Sequence, residues 1–282
     1  EREAIHQYLA VKWMLEEFDT DGDGFSDGVE VVAGTSPNDP DDNPAPDFSD
    51  TVDALVGEAL ELDTAEGDLK LWLDATNING ANNAGINDDS GVVTWFDMSG
   101  SGNSGIKCGN NHGIYHDDLK GVFFQNTCYN IQTNLTTNTS FTIFAVEKRS
   151  GNGGNYFIGQ DGANSTNQNI HYGYRNNATF KNDFYSNGVN FGIDGYDGNI
   201  NLSVGRYAKG GSRDLFYNGK FIEGNTGAHL INSGVTWIGR AAGNNYYNGH
   251  MMEVLIFQRD LSDQEILGIT KYLTKKWDLG SR

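Results

Sequence analysis

A chain of 282 residues can hold one large domain or two unequal ones. Its 37 glycines, recurrent asparagine and 12% aromatic content, with few long apolar-periodic runs, point to many short strands joined by turns and away from a helical bundle. The formal charge of −19 argues against nucleic acid and anionic lipid as partners and favours divalent cations.

That charge is unevenly spread. Residues 1–68 hold 20 acidic and 2 basic side chains, whereas residues 69–282 hold 18 and 17. A metal site and a linker would concentrate acidity in this way, and the body that follows is near neutral. No apolar stretch approaches the ~20 residues of a membrane span, so no direct membrane insertion is expected, and the charged start is not a signal peptide. Any export signal is expected outside this chain.

In chain order, Ile5, Leu9 and Trp13 fall at helical spacing and predict an amphipathic helix over residues 1–17. Next comes Asp19-Thr20-Asp21-Gly22-Asp23-Gly24-Phe25-Ser26-Asp27-Gly28-Val29-Glu30. Calcium requires six to eight oxygen ligands, and this spacing offers the carboxylates of Asp19, Asp21, Asp23, Asp27 and Glu30 with the carbonyl of Phe25. Gly24 permits the sharp turn, and Glu30 can bind through both oxygens. A solvated acidic turn is the alternative, but clustered carboxylates repel one another without a cation. The loop is read as a calcium site of EF-hand type.

Pro37, Pro40, Pro44 and Pro46 make the next stretch extended and stiff, which marks a domain boundary. Residues 47–67 read as an acidic linker. Beyond them strands are predicted at Leu69–Leu73, Val92–Trp95, Val122–Phe124, Phe141–Glu147, Tyr156–Ile158 and Ile170–Tyr174. Further runs are Leu202–Val204, Leu215–Tyr217, Lys220–Ile222, Thr236–Ile238 and Met252–Phe257. Asn218-Gly219 signals a tight hairpin between two of these. Ser262 and Glu265 form a capping box that opens a closing helix running to Trp277. The sum is a mainly β chain, a two-sheet antiparallel sandwich with a C-terminal helix, preceded by a helix–calcium loop–helix segment.

The first and last helices share a pattern. Glu1, Ile5, Tyr8, Leu9, Lys12, Trp13 and Leu15 recur as Glu265, Ile269, Tyr272, Leu273, Lys276, Trp277 and Leu279. An internal repeat accounts for the common Tyr-Leu-x-x-Lys-Trp-x-Leu better than shared amphipathicity does. Residues 1–18 are then read as the last helix of a preceding repeat, in a tandem array whose neighbouring repeats are partners of one another.

The stretch Asp19 to Asp42, with Gly34-Thr35-Ser36-Pro37-Asn38-Asp39-Pro40-Asp41-Asp42 at its end, resembles the thrombospondin type 3-like calcium repeats of bacterial surface proteins. The resemblance covers residues 19–42 and implies that Asp39 and Asp41 also help to bind calcium; the calcium segment is read as residues 19–46, up to the last proline. From residue 68 to 282 the chain resembles a laminin-G-like, concanavalin A-type jelly roll. The carriers are Leu71-Trp72-Leu73-Asp74-Ala75, Trp95-Phe96-Asp97-Met98-Ser99-Gly100-Ser101-Gly102-Asn103, Phe216-Tyr217-Asn218-Gly219 and Asn248 to Phe257. Such domains mostly bind glycans or proteins through rim loops, often with calcium. The resemblance implies an extracellular or cell-surface adhesive module, with a purely structural repeat as the alternative.

Asp97 and Asn103 are candidates for a second metal or for bracing their glycine-rich loop. For ligand contact, Arg240, Asn244, Asn245, Tyr246 and Tyr247 combine aromatic faces with planar amides, as do Tyr172 and Tyr174, although alternate aromatics in a strand also serve packing. Cys108 and Cys128 suit one disulfide in an exported protein, or two buried thiols; the bridge is the expectation. No enzyme is expected. Retaining glycosidases place two carboxylates about 5.5 Å apart, but Glu253 is alone in its strand and reads as a buried structural acceptor. The six histidines are scattered, so neither a nucleophilic triad nor a zinc site is indicated.

Overall fold

The computed structural model describes residues 20, 36, 38–39, 67–160, 165–167, 169–185, 188–193, 195–226 and 234–279. The expected helix over 1–17, the loop ligands Asp19, Asp21, Asp23, Phe25, Asp27 and Glu30, Asp41 and the linker 47–66 lie outside these residues. Asp39 is described; it is exposed, and its backbone N–H closes a turn onto the Ser36 carbonyl at 3.1 Å.

Among the described residues there are nineteen strands and one helix. The first seven strands are β1 (Leu69–Asp74), β2 (Gly91–Val92), β3 (Thr94–Trp95), β4 (Gly105–Lys107), β5 (Gly113–His116), β6 (Gly121–Gln125) and β7 (Tyr129–Asn130). They are followed by β8 (Phe141–Arg149), β9 (Asn155–Gln160), β10 (His171–Asn176), β11 (Thr179–Asp183), β12 (Gly188–Phe191) and β13 (Asn201–Tyr207). The last are β14 (Ser212–Tyr217), β15 (Lys220–Thr226), β16 (Thr236–Ile238), β17 (Arg240–Ala241), β18 (Asn245–Tyr246) and β19 (Asn248–Phe257), before helix α1 (Asp263–Lys276).

Two large antiparallel sheets form the sandwich. The first runs β15-β14-β13-β8-β19-β6-β5-β2, with β1 also paired to β19. The second runs β12-β11-β10-β9-β16-β7-β4-β3, and β17 with β18 makes a small hairpin of its own. Strand β19 organises the first sheet: one edge pairs with β8, while the other pairs first with β6 and then with β1.

The predicted strands lie within observed ones except that β10 begins at His171, one residue after the predicted Ile170, and that one predicted run is divided. Val92–Trp95 is two strands in different sheets, because the chain turns from one layer to the other at the exposed Val93. Asn218 and Gly219, with φ of 48° and 77°, form the expected tight turn between β14 and β15. Between the sheets lie Leu71, Leu73, Trp95, Phe124, Phe141, Ile143, Phe157, Ile158 and Ile256, all fully buried. Phe157 meets Tyr172, Tyr174, Phe180 and Tyr247 edge to face at centroid distances of 5.3 to 6.1 Å. Such pairs contribute about 0.5–1.5 kcal/mol each beyond burial.

Cys108 and Cys128 are bridged, with Cα atoms 5.3 Å apart. The bridge joins the end of β4 to the start of β7, where Cys108 N–H also donates to the Cys128 carbonyl at 2.8 Å. Glu253 is buried and accepts the Trp72 indole N–H at 2.7 Å, the structural use read from its isolation.

The chain divides into two compact units. Both sheets lie in the unit comprising Asp63–Leu261 and Asp278–Arg282, and α1 lies in the other. The capping box is present: Ser262 Oγ accepts from Glu265 N–H, and the Glu265 carboxylate accepts from Ser262 N–H at 2.7 Å. Acidic Asp263 and Glu265 open the helix and Lys275 and Lys276 close it, matching the helix dipole. No helix among the described residues is long and apolar enough to cross a membrane.

Candidate functional site

The small β17–β18 hairpin lies on the outer face of the second sheet. Ile238 of β16 points into the core, so its neighbour Trp237 points outward, and Trp237 pairs with Gly159 of β9. A Cβ at Gly159 would come within 2.4 Å of the Arg240 carbonyl oxygen and 2.5 Å of the Ala241 Cα. Only glycine lets the hairpin backbone seat this closely. The turn is completed by Gly243 and Asn244 in left-handed conformations, φ 75° and 60°, and by Asn245 donating to the Ala242 carbonyl at 2.6 Å.

This seating stacks Arg240 between two rings. Its guanidinium carbon lies 4.3 Å from the Trp237 ring centroid and 5.1 Å from that of Tyr246. Nη2 donates to the Asn244 side chain at 2.9 Å, whereas the buried Nε has no hydrogen-bond partner. Both rings are half-buried, and Asn244 is exposed. A guanidinium close to two aromatic rings is restrained by both, and its terminal N–H groups not bonded to Asn244 can donate to a hydroxyl or carboxylate. The sequence singled out Arg240, Asn244, Asn245 and Tyr246. It missed Trp237, whose signal was a bulky aromatic three residues before the arginine, read only as part of a strand.

Three candidates are corrected. Tyr172, Tyr174 and Tyr247 are fully buried and point into the core, so they are not surface contacts. The hydroxyls of Tyr174 and Tyr247 serve an internal acid. Tyr174 donates to one oxygen of Glu147 at 2.7 Å and Tyr247 to the other at 2.6 Å, while Tyr174 and Tyr217 share a 2.8 Å hydrogen bond. Burial pushes the Glu147 carboxyl up to about 7, against the opposing pull of the Tyr247 and Tyr174 hydroxyls and of Arg149. Glu147 thus anchors Tyr247, whose N–H donates to the Gly239 carbonyl at 2.9 Å just before the hairpin.

Asp97 and Asn103 are likewise braces, and the second-metal reading of them is set aside. Asp97 accepts from Trp72 N–H, Ser99 N–H, Ser99 Oγ–H and Asn103 N–H at 2.8–2.9 Å, which leaves little lone-pair capacity for a cation. Asn103 donates to the Lys70 carbonyl and accepts from Thr133 Oγ–H. Among the described residues no three histidine, cysteine or carboxylate side chains group as metal ligands.

The described residues define the fold as a two-sheet antiparallel sandwich. The family model of the bacterial TSP3 repeat matches residues 19–40. No curated protein sequence matches the chain. Among solved structures, domain 4 of AbnA, an extracellular arabinanase of Geobacillus stearothermophilus in complex with arabinotriose, is similar at 14% identity and a TM-score of 0.53. That match covers 72% of this chain and 98% of the other. A receptor binding domain is similar at 18% identity and a TM-score of 0.53, covering 77% of this chain and 53% of that one. The binding domain of botulinum neurotoxin DC, in complex with rat synaptotagmin II, gives 18% identity and a TM-score of 0.51, with 73% and 52% covered. The chain therefore spans about half the length of these two binding domains, and the likeness is one of fold.

Proposed function

We propose that the chain is a calcium-stabilised binding module of an extracellular surface protein, in which a laminin-G-like, concanavalin A-like sandwich presents a glycan- or protein-binding surface. The observation that carries this reading is the Trp237–Arg240–Tyr246 stack with Asn244 beside it. It combines an exposed aromatic edge with an oriented cation and an amide, on a fold whose solved relatives include an arabinanase domain with arabinotriose and a toxin domain with synaptotagmin. Asp19, Asp21, Asp23, Asp27, Glu30 and the Phe25 carbonyl would hold calcium, helped by Asp39 and Asp41. The match of residues 19–40 to the bacterial TSP3 repeat supports that assignment and a surface location.

A glycan array and a surface-protein pull-down, each run with the whole chain and with Arg240→Ala and Trp237→Ala, test the binding surface. Loss of bound partners in both variants, with an unchanged unfolding midpoint, is expected; full retention in both rejects the site. A second reading, a structural repeat whose contacts are with neighbouring repeats, draws on the recurrence of Tyr-Leu-x-x-Lys-Trp-x-Leu at residues 8–15 and 272–279. It would hold if neither assay retained a partner.

A further inference from the structure

The opposite face of the sandwich carries a separate concavity of about 470 Å³, within the ~300–1,000 Å³ typical of small-molecule sites. Its position follows from strand alternation. Val122 and Phe124 of β6 and Tyr115 of β5 point into the core, so Phe123 and Gln125 of β6 and Ile114 of β5 face outward. Phe123 and Ile114 pair directly across the two strands and make an apolar floor. One wall is Asn110, Asn111 and His112, which lead into β5; the other is Gln125 and Asn126, which leave β6.

The groove is built rather than incidental. Its walls are the segments that follow Cys108 and precede Cys128, so the disulfide clamps both at their bases. Asn111 Nδ2 donates across the gap to the Asn126 carbonyl at 3.2 Å, and Lys107 Nζ holds the Gly109 and Asn110 carbonyls from behind at 3.0 and 3.1 Å. His112 lies against Gly91, where a Cβ would come within 2.3 Å of its Nε2. The floor is fixed too: Phe123 stacks on His116 at 5.5 Å, with 12° between the ring planes, and touches His250 at 4.9 Å. The two histidines are joined by a 2.8 Å hydrogen bond.

The lining has a definite chemistry. An aromatic ring and an aliphatic side chain form the floor, and four primary amides and an imidazole form the rim. Among the described residues no carboxylate and no lysine or arginine lines it. The side-chain amides of Asn110, Gln125 and Asn126 make no hydrogen bond to other described residues. Each presents a donor and an acceptor fixed in one plane, which suits a hydroxyl that must both give and take a hydrogen bond. An ionic ligand would lose hydration here without meeting a countercharge. We propose that this groove is a second binding site, specific for a neutral sugar ring that lays its C–H face on Phe123 and turns its hydroxyls to the amides. It lies on the first sheet, away from the Arg240 stack on the second, and does not rest on the reading of that stack.

The test uses the whole chain on an array of neutral pentose and hexose oligosaccharides alongside sialylated ones, followed by calorimetry with the best neutral binder. Phe123→Ala is expected to weaken that binder about tenfold or more, the effect of truncating a central anchor. Because Phe123 also touches two histidines, Gln125→Glu with Asn126→Asp serves as the second variant. It changes only exposed amides, and should abolish neutral binding without moving the unfolding midpoint. Lys220→Ala, an exposed change in neither site, should leave neutral binding unchanged. Absence of any neutral sugar from the array, retention of binding by both groove variants, or capture of peptides alone overturns the proposal. So does loss in Arg240→Ala without loss in the groove variants, an outcome that would leave the Arg240 reading standing.

Discussion

The two outer faces carry similar aromatic material in opposite electrostatic settings. Around Phe123 the rim is all amide and imidazole, and a disulfide sets the spacing of its walls. Around Trp237 an arginine is stacked between rings, and a close backbone contact at Gly159 sets its place. The difference shows that charge beside a ring, more than the ring, distinguishes what each face can hold. It also shows two ways of fixing a site: a covalent clamp on one side, a missing Cβ on the other.

Their buried supports titrate in opposite senses. Phe123 rests on His250, whose burial, reinforced by His116, lowers its pKa from 6.5 to about 4. The hairpin follows from Tyr247, held by Glu147, whose pKa is raised from 4.5 to about 7. His250 contributes stability that is present above pH 6.5 and lost as pH falls through 4, because the unfolded chain takes up that proton first. Glu147 does the reverse, stabilising fully below 4.5 and losing that contribution as pH rises through 7.

The sharpest way to break the comparison is to cut the clamp. Cys108→Ser with Cys128→Ser opens a loop with a sequence separation of 20, which should cost about 3 kcal/mol of stability in urea unfolding. Binding at Phe123 should weaken while binding at Trp237 persists. Equal losses at both faces would mean that the clamp supports the whole sandwich.

Titration gives a comparable effect. Over the window from 4.5 to 6.5 the two groups oppose each other, and their joint contribution to the stability profile should be nearly flat. Glu147→Gln removes one side, so that stability should rise as pH goes from 4 to 6.5. Thermal unfolding across that range measures it, and an unchanged flat profile would contradict the opposition. In His250→Gln the slope should instead be downward from 4.5 to 7.

Trp237→Ala takes away one ring of the stack. A loss of about 1.4 kcal/mol in partner affinity, tenfold, is expected, with little change in folding because the ring is only half-buried. Calorimetry and unfolding on the same protein separate the two. The smallest effect concerns calcium. The body from residue 69 is near neutral, so chelation should increase protease cleavage between Asp19 and Asp41 while leaving sugar binding at either face within error. Asp19→Ala with Glu30→Ala should abolish the calcium heat. A chelator that erased binding at one face would show that this face depends on the acidic segment.

Much of this was legible beforehand. Asn218-Gly219 needs two left-handed residues and so declares its hairpin, Ser262 with Glu265 declares a helix start, and Glu253 alone in an apolar strand declares a buried acceptor. These are local rules, settled within a few residues. The strands that escaped notice, such as Gly105–Lys107, Gly113–His116 and Arg240–Ala241, are too short or too rich in glycine and histidine to show an alternation.

What the sequence determined by itself was the division of charge, the spacing of five carboxylates between Asp19 and Glu30, and a β-rich body with a capped helix. What the tertiary structure alone decided was direction. A period of two says that neighbours in a strand point opposite ways but leaves open which way is inward. Only the second sheet settles that Tyr172 is buried and that Tyr174 and Tyr247 meet Glu147 inside, while Trp237 and Phe123 are left outside. Contacts such as Cys108 with Cys128, or Arg240 with a glycine eighty-one positions earlier, depend on strand order, which short-range pattern does not encode.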